Sequence, residues 1–121
     1  MGVEQLLFDD GLTVNNKLME LAMERQRVIA NNIANANTPG YIRQDLEFEG
    51  KLKKAIKSGR LEQLQGYKGE LVEDHTNTTR SDGNNVTIPQ EMHKMMSNSS
   101  LYTLLSRAYK ARMNVIREAI K

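Results

Sequence analysis

Apolar residues recur at three- and four-residue steps through two long stretches, one near each end of the chain. The sequence between them is polar and only briefly patterned. From about 12 to 36, Val14, Leu18, Leu21, Ala22, Val28, Ile29 and Ile33 gather on one broad face, and Lys17, Glu20, Glu24 and Arg27 take the opposite one. That spacing predicts an amphipathic helix. Asp10 or Thr13 suits its N-cap. Arg25 falls on the apolar seam itself, where it either snorkels to water or forms an ion pair between subunits. The second stretch follows Pro89, a residue suited to a first helical turn. Met92, Met95, Ser99, Tyr102, Ser106, Tyr109, Met113, Ile116 and Ile120 keep a heptad step, with Leu101, Leu105, Ala108, Val115 and Ala119 alongside. A sustained heptad argues for a coiled-coil face. A seam of Met, Ser and Tyr is weakly specified alone, and Met packs adaptably against irregular neighbours.

The first helix ends in Asn31-Asn32-Ile33-Ala34-Asn35-Ala36-Asn37-Thr38-Pro39-Gly40. Asn costs roughly half a kcal/mol per helical position against Ala, so three of them in one stretch need compensation. On the helical wheel Asn32 continues the apolar seam, with Asn31 and Asn35 beside it. An amide both donates and accepts, so the row predicts hydrogen bonds between helices or between subunits. Pro39 pushes Thr38 out of the helical region, and Gly40 permits a positive φ. A polar helix end before an ordinary Pro-Gly turn is the plainer reading of the same residues.

Between the helices, Tyr41–Phe48 partly alternates and predicts a short strand or extended arm. Glu49–Ser58 predicts a short amphipathic helix stopped by Gly59. From 59 to 88 the sequence reads as a long loop or short hairpin, in which Leu71, Val72, Val86 and Ile88 look fit for packing. Lys51, Lys53, Lys54 and Lys57 stand among glutamates and read as a solvated face. Residues 3–8 form a brief apolar patch.

Composition narrows the function. The chain has 121 residues, 39% of them hydrophobic, 5% aromatic, with no Trp and no Cys. Mean hydropathy is −0.59. This is a thin supply for a private core and fits helices that bury their seams against other subunits. A net charge of +2 gives no strong pull toward nucleic acid or anionic lipid. No apolar run is long enough to span a membrane. The first eight residues lack the basic flank and apolar core of a cleavable signal. His75 and His93 have no second ligand at metal-binding spacing. No nucleophile has a paired base, and no glycine-rich phosphate loop is present, so the sequence offers no catalytic, cofactor or metal site.

The stretch Asn31–Tyr41 resembles the N-terminal signature of the bacterial flagellar rod, hook and hook-associated axial proteins. Asp82-Gly83-Asn84-Asn85-Val86 resembles the segment leading into the C-terminal helix of rod subunits, and Leu101–Lys121 resembles that helix. Residues 43–81 carry no strong match, and Ala36 stands where these families often have Val. The short length and the ending Ala108-Tyr109-Lys110-Ala111-Arg112-Met113 favour a proximal-rod subunit over the longer distal-rod and hook proteins.

The resemblance implies a structural subunit of the proximal rod of the flagellar basal body, polymerising helically through its terminal helices to transmit motor torque. It also implies export by the flagellar type III apparatus without a cleavable signal. The neighbours it implies are other rod subunits, with the hook–basal-body adaptor and the MS ring at the rod base. A stand-alone helical-hairpin adaptor is the alternative, and a basic nucleic-acid binder a third reading.

The expected fold is mainly α: two long terminal helices forming a coiled-coil-like hairpin around a small, partly irregular middle. Residues 1–40 and 89–121 form the axial core, and 41–88 form a projection with a short helix near 49–58. The expected assembly residues are Ile29, Asn31, Asn32, Ile33, Asn35, Asn37, Thr38, Pro39, Gly40 and Tyr41 on the first helix and its turn. On the second they are Tyr102, Tyr109, Met113, Ile116 and Ile120. In the assembled rod the two helices are expected to lie side by side, with the seam ends Ile29, Ile33 and Ala36 against Met113, Ile116 and Ile120.

Overall fold

The computed structural model describes residues 10–121; the apolar patch at 3–8 lies outside the described residues. Helix α1 spans Asp10–Ala34, strand β1 Gln44–Glu47, helix α2 Glu49–Ser58, a 3-10 helix Leu61–Gly66, strand β2 Glu70–Glu73 and helix α3 Ile88–Ala119. The fold is mainly helical, with long terminal helices and a small middle carrying a two-stranded sheet, as the periodicity predicts. The two strands pair antiparallel, Gln44 opposite Glu73 and Glu47 opposite Glu70.

Helices α1 and α3 run antiparallel. Asn32 meets Glu91, Asn98 donates to the Ala22 carbonyl, and Leu12 and Asn15 lie beside Tyr109 and Arg112. Within the subunit, Ile29, Ile33 and Ala36 and the trio Met113, Ile116 and Ile120 lie at opposite ends of the pair. Ile120 is 52% exposed.

The face that α3 turns to α1 also differs in register. Met95, Tyr102, Tyr109 and Ile116 are buried or half-buried as the heptad predicts. In the other column Glu91 and Asn98 are buried in place of Met92 and Ser99, which are exposed, whereas Ser106 and Met113 are half-buried as expected. Met92 is 46% exposed, whereas Glu91 is fully buried. Two polar residues therefore occupy apolar slots, and each is hydrogen-bonded there: Asn98 Nδ2 donates to Ala22 O at 2.8 Å and to Gln26 Oε1 at 2.7 Å. A buried amide with its donors used is tolerated; an orphaned one is not.

The middle segment, expected as a projection, lies along α1 and supplies most of the core. Leu46 of β1, Phe48, Leu52 of α2 and Leu64 of the 3-10 helix close on Leu21, with Val14, Leu18 and Val28 packed around them. Gly69 belongs to this packing, since a Cβ there would stand 2.7 Å from the Leu46 side chain. The thin apolar supply is thus concentrated in one place. The loop expected over 59–88 conceals Leu64, 1% exposed, whereas Leu71 and Ile88, expected to pack, are 53% and 47% exposed.

Two charged residues of α1 are also used in holding this middle down. Lys17, expected on the solvent face, is buried, and its ammonium donates to the carbonyls of Gln65 and Tyr67, at 3.3 and 3.0 Å. It thereby satisfies carbonyls that the 3-10 helix leaves open at its end. Arg25, on the seam, has partners within the subunit. It pairs within the subunit with Glu49 at 2.7 Å, donates to the Leu46 carbonyl and lies 4.2 Å over the Phe48 ring.

Candidate functional site: a polar junction between the terminal helices

Helix α1 ends at Ala34, and a turn carries the chain round to β1. Tyr41 N donates to Thr38 O across Pro39 and Gly40, and Gly40 has φ +77°. Pro at the second position and a positive φ at the third make this a type II turn. A second turn comes up against it. Gly40 N donates to Asp82 O at 2.8 Å, and Gly83, with φ +84°, lies so close that a Cβ would stand 3.3 Å from Gly40 Cα.

Asparagines join the two turns. Asn84, fully buried, donates to the carbonyls of Asn35 and Thr38 at 2.8 and 2.9 Å and accepts from Val86 N at 2.7 Å. Each of those first two carbonyls also accepts from a turn N–H, Asn35 O from Thr38 N and Thr38 O from Tyr41 N. Arg80 donates to Val86 O at 2.9 Å and also to Ala36 O. Asn85 accepts from Arg43 N at 2.7 Å and donates to Asp74 O at 2.7 Å.

The amide row separates by role. Asn32 is fully buried. Its Nδ2 donates to Gln44 O at 2.8 Å and Glu91 Oε2 at 3.2 Å, and its Oδ1 accepts from Gln44 N at 2.9 Å and the Tyr41 hydroxyl at 3.0 Å. One side chain so joins α1, β1 and α3. Asn31 donates to the Tyr41 hydroxyl, and Asn35 donates back to the Asn31 carbonyl. Those two amides serve the local turn. Burial holds the Tyr41 phenol above its ordinary pKa.

Beneath Asn32 sits Arg43, fully buried with all five donors used. Nε donates to Glu91, Nη1 to Asp45 at 2.9 Å and to Asp74, and Nη2 to Asp45 at 2.8 Å and Glu91 at 3.5 Å. Burial disfavours the guanidinium charge, but the Asp45 and Glu91 hydrogen bonds outweigh it and hold the pKa above the usual Arg value. Asp74 is held below the ordinary carboxylate range, chiefly by the Thr76 hydroxyl and backbone N–H, with Arg43 adding to the effect.

At this junction every Arg43 donor is engaged, and no group among the described residues is fit to hold a metal ion. It is suited to fixing an angle and a register between helices. Both stretches singled out in the sequence, Asn31–Tyr41 and Asp82–Val86, meet here.

The family model for the flagella basal body rod protein matches residues 19–41, the second half of α1 and its turn. The flagellar basal body rod protein FlgB of Escherichia coli strain K12 is 31% identical over 130 residues, covering 90% of this chain and 94% of that protein. Its Salmonella typhimurium counterpart is 30% identical over 131 residues, with the same coverage, and that of Borrelia hermsii 30% identical over 118 residues, 83% of this chain and 87% of the other. The chain belongs to the FlgB family of flagellar basal body rod proteins.

Of the expected assembly residues in this FlgB-family chain, Asn31, Asn32, Asn35, Thr38 and Tyr41 share the junction, with Thr38 donating to the Asn35 side chain. Asn37, Pro39 and Gly40 are exposed around it, Ile33 is half-buried and Ile29 is buried just below it. Tyr102 lies halfway along α3; Tyr109, Met113, Ile116 and Ile120 are far from the junction on the same helix. Arg43, Asn84, Asn85 and Glu91 hold the junction together and were not among the residues expected. A legible signal existed for Glu91: it stands seven residues before Asn98 and four before Met95, in phase with the apolar stripe.

Proposed function

We propose that this chain is a structural subunit of the proximal rod, polymerising through its terminal helices, with the Asn32–Arg43–Glu91 junction setting the rigid angle at which those helices are presented. The observation that carries the reading is Asn32: a fully buried amide whose four hydrogen bonds tie the end of α1 to both the middle segment and the start of α3. Torque between subunits needs stiffness. Packed helices held by satisfied buried polar groups supply it without covalent links, which a chain with no Cys does not have.

In this reading residues 10–40 and 89–121 form the axial core and 41–88 brace α1. The subunit contacts other rod subunits, and at the rod base the hook–basal-body adaptor and the MS ring. It reaches them through the flagellar export apparatus without a cleavable signal. No described helix is long and apolar enough to cross a membrane.

The test is Asn32→Ala in the producing cell. It orphans the Gln44 backbone groups, at about 1–3 kcal/mol each for buried donors and acceptors, so the junction loosens while the Leu21 core remains. The expected result is a helical, exported protein that enters basal bodies poorly, with reduced swimming. Wild-type incorporation and swimming would count against the junction as the determinant of assembly.

A further inference from the structure

We propose that the groove between α2 and the 3-10 helix is a docking site for an acidic segment of another protein, which sets carboxylates on Lys51, Lys54 and Arg60 and an apolar side chain over Ala55 and Tyr67. The proposal goes beyond the reading of the terminal helices and does not depend on it.

The groove is an open hollow of about 400 Å³. Lys51, Lys54 and Ala55 of α2 line it on one side, Arg60 lines it at the bend, and Leu64 and Tyr67 line it on the side of the 3-10 helix. Among the described residues no carboxylate lines it. Residues 51–68 hold Lys51, Lys53, Lys54, Lys57, Arg60 and Lys68 against Glu62 alone, a net of +5 in a chain of +2. Glu62 stands outside the hollow.

The subunit itself makes no use of these cations. The sequence suggests glutamates that screen the lysines, but Glu49, the one acidic residue of α2, pairs with Arg25 at 2.7 Å instead. Among the described residues the side chains of Lys51, Lys54 and Arg60 have no hydrogen-bond or ion-pair partner. The helix dipole favours a cation near the end of α2, which suits Lys57, and disfavours one in the first turn, where Lys51 stands. Lys51 and Lys54 are three residues apart, so they share a face and repel each other. An anion placed between them relieves that repulsion.

The neutral groups of the hollow select the kind of anion. The Ser58 hydroxyl donates to Ala55 O at 3.0 Å, and the Tyr67 hydroxyl to Phe48 O at 3.1 Å. Their protons are already committed, so the hollow offers cationic donors around half-buried Ala55 and Tyr67, with Leu64 buried beneath. A small inorganic anion would meet the cations and leave the apolar surface wet. A bilayer surface is too flat to enter a hollow. A peptide with carboxylates on either side of an apolar side chain meets both parts. Complementary charge then sets the choice of partner, and the apolar anchor adds affinity.

The test is a titration of the purified full chain with the blocked peptide Glu-Asp-Leu-Phe-Asp-Glu, followed by amide NMR shifts. Shifts should centre on residues 51–67, with a Kd below ~1 mM. Replacing Leu-Phe by Gly-Gly in the peptide should weaken binding severalfold. Lys51→Gln with Lys54→Gln should weaken it roughly fivefold, the loss of two exposed ion pairs. Lys53→Gln with Lys57→Gln removes as much charge from outside the hollow and should change it by less than about twofold. All four lysines are exposed, so both variants should melt with the native chain. No saturable shifts up to ~1 mM, equal binding of the Gly-Gly peptide, or equal losses in the two variants would overturn the proposal. A lowered melting temperature for Lys51→Gln with Lys54→Gln would give those lysines a structural role and overturn it too. So would tighter binding at the same residues by phosphatidylserine vesicles or a single-stranded DNA oligonucleotide. None of these outcomes bears on the rod reading, which the Asn32→Ala strain tests separately.

Discussion

The two ends of the α1–α3 pair are built differently. At the junction end, around Asn32, Arg43 and Glu91, buried polar groups are matched with one another across α1, β1 and α3. At the far end, beyond Asn98, Ile116 is the only buried residue of α3, while Leu104 and Val115 are mostly exposed and the surface is basic. The first end satisfies itself. The second displays exposed apolar side chains such as Leu104 and Val115. A subunit that must fold alone and then polymerise divides the work in this way: one end fixes geometry, and the other remains available to neighbours.

Breaking the junction should have the largest effect. Glu91→Ala leaves Arg43 buried without its one fully buried partner, and breaking a buried pair by removing one member costs about 3–5 kcal/mol. A urea titration of the free subunit should show that loss. Leu104→Ala, made at the far end, should change the same midpoint by less than about 0.5 kcal/mol, as exposed positions generally do. Equal losses at the two positions would erase the contrast.

A smaller effect should appear in acid. Asp74 has a folded pKa depressed below the unfolded value of about 3.9. Such a group contributes stability that is fully present above the unfolded pKa and is lost as pH falls through the folded one. The urea midpoint should therefore hold steady above about pH 5 and decline below about pH 4. Thr76→Ala removes the hydroxyl that is the largest cause of the shift and should shallow the decline. An unchanged decline would show that the Asp74 contacts add little.

How far the sequence led follows the same division. Periodicity located both long helices and the short one stopped by Gly59, which adopts φ +72° as its stop requires. Turn chemistry located Thr38-Pro39-Gly40. The junction itself was half legible. Its two asparagine-rich stretches stood out separately, but nothing in a linear reading says that Asn84 will donate to carbonyls of Asn35 and Thr38. Arg43 and Glu91 drew no notice, because a charge gives no sign of burial until its partners are known. The same rule misplaced the first two positions of one column of the α3 seam, since Met92 is a better hydrophobe than Glu91 and Ser99 a plainer residue than Asn98. Lys17 was misread likewise: its burial depends on Gln65 and Tyr67, carbonyls far away in the chain. Local pattern therefore places elements well, whereas satisfied buried polar groups emerge only once the chain is folded.

Hydrogen exchange along α3 tests the division most directly. In the dilute free subunit, amides of 90–98, beside the junction, should exchange at least about tenfold more slowly than those of 105–119, since opening free energies fall where few buried contacts hold a segment. In purified basal bodies the far segment should become as protected as the near one. Uniform protection along α3 in the free subunit would contradict the account, because the far end would then be complete without its neighbours.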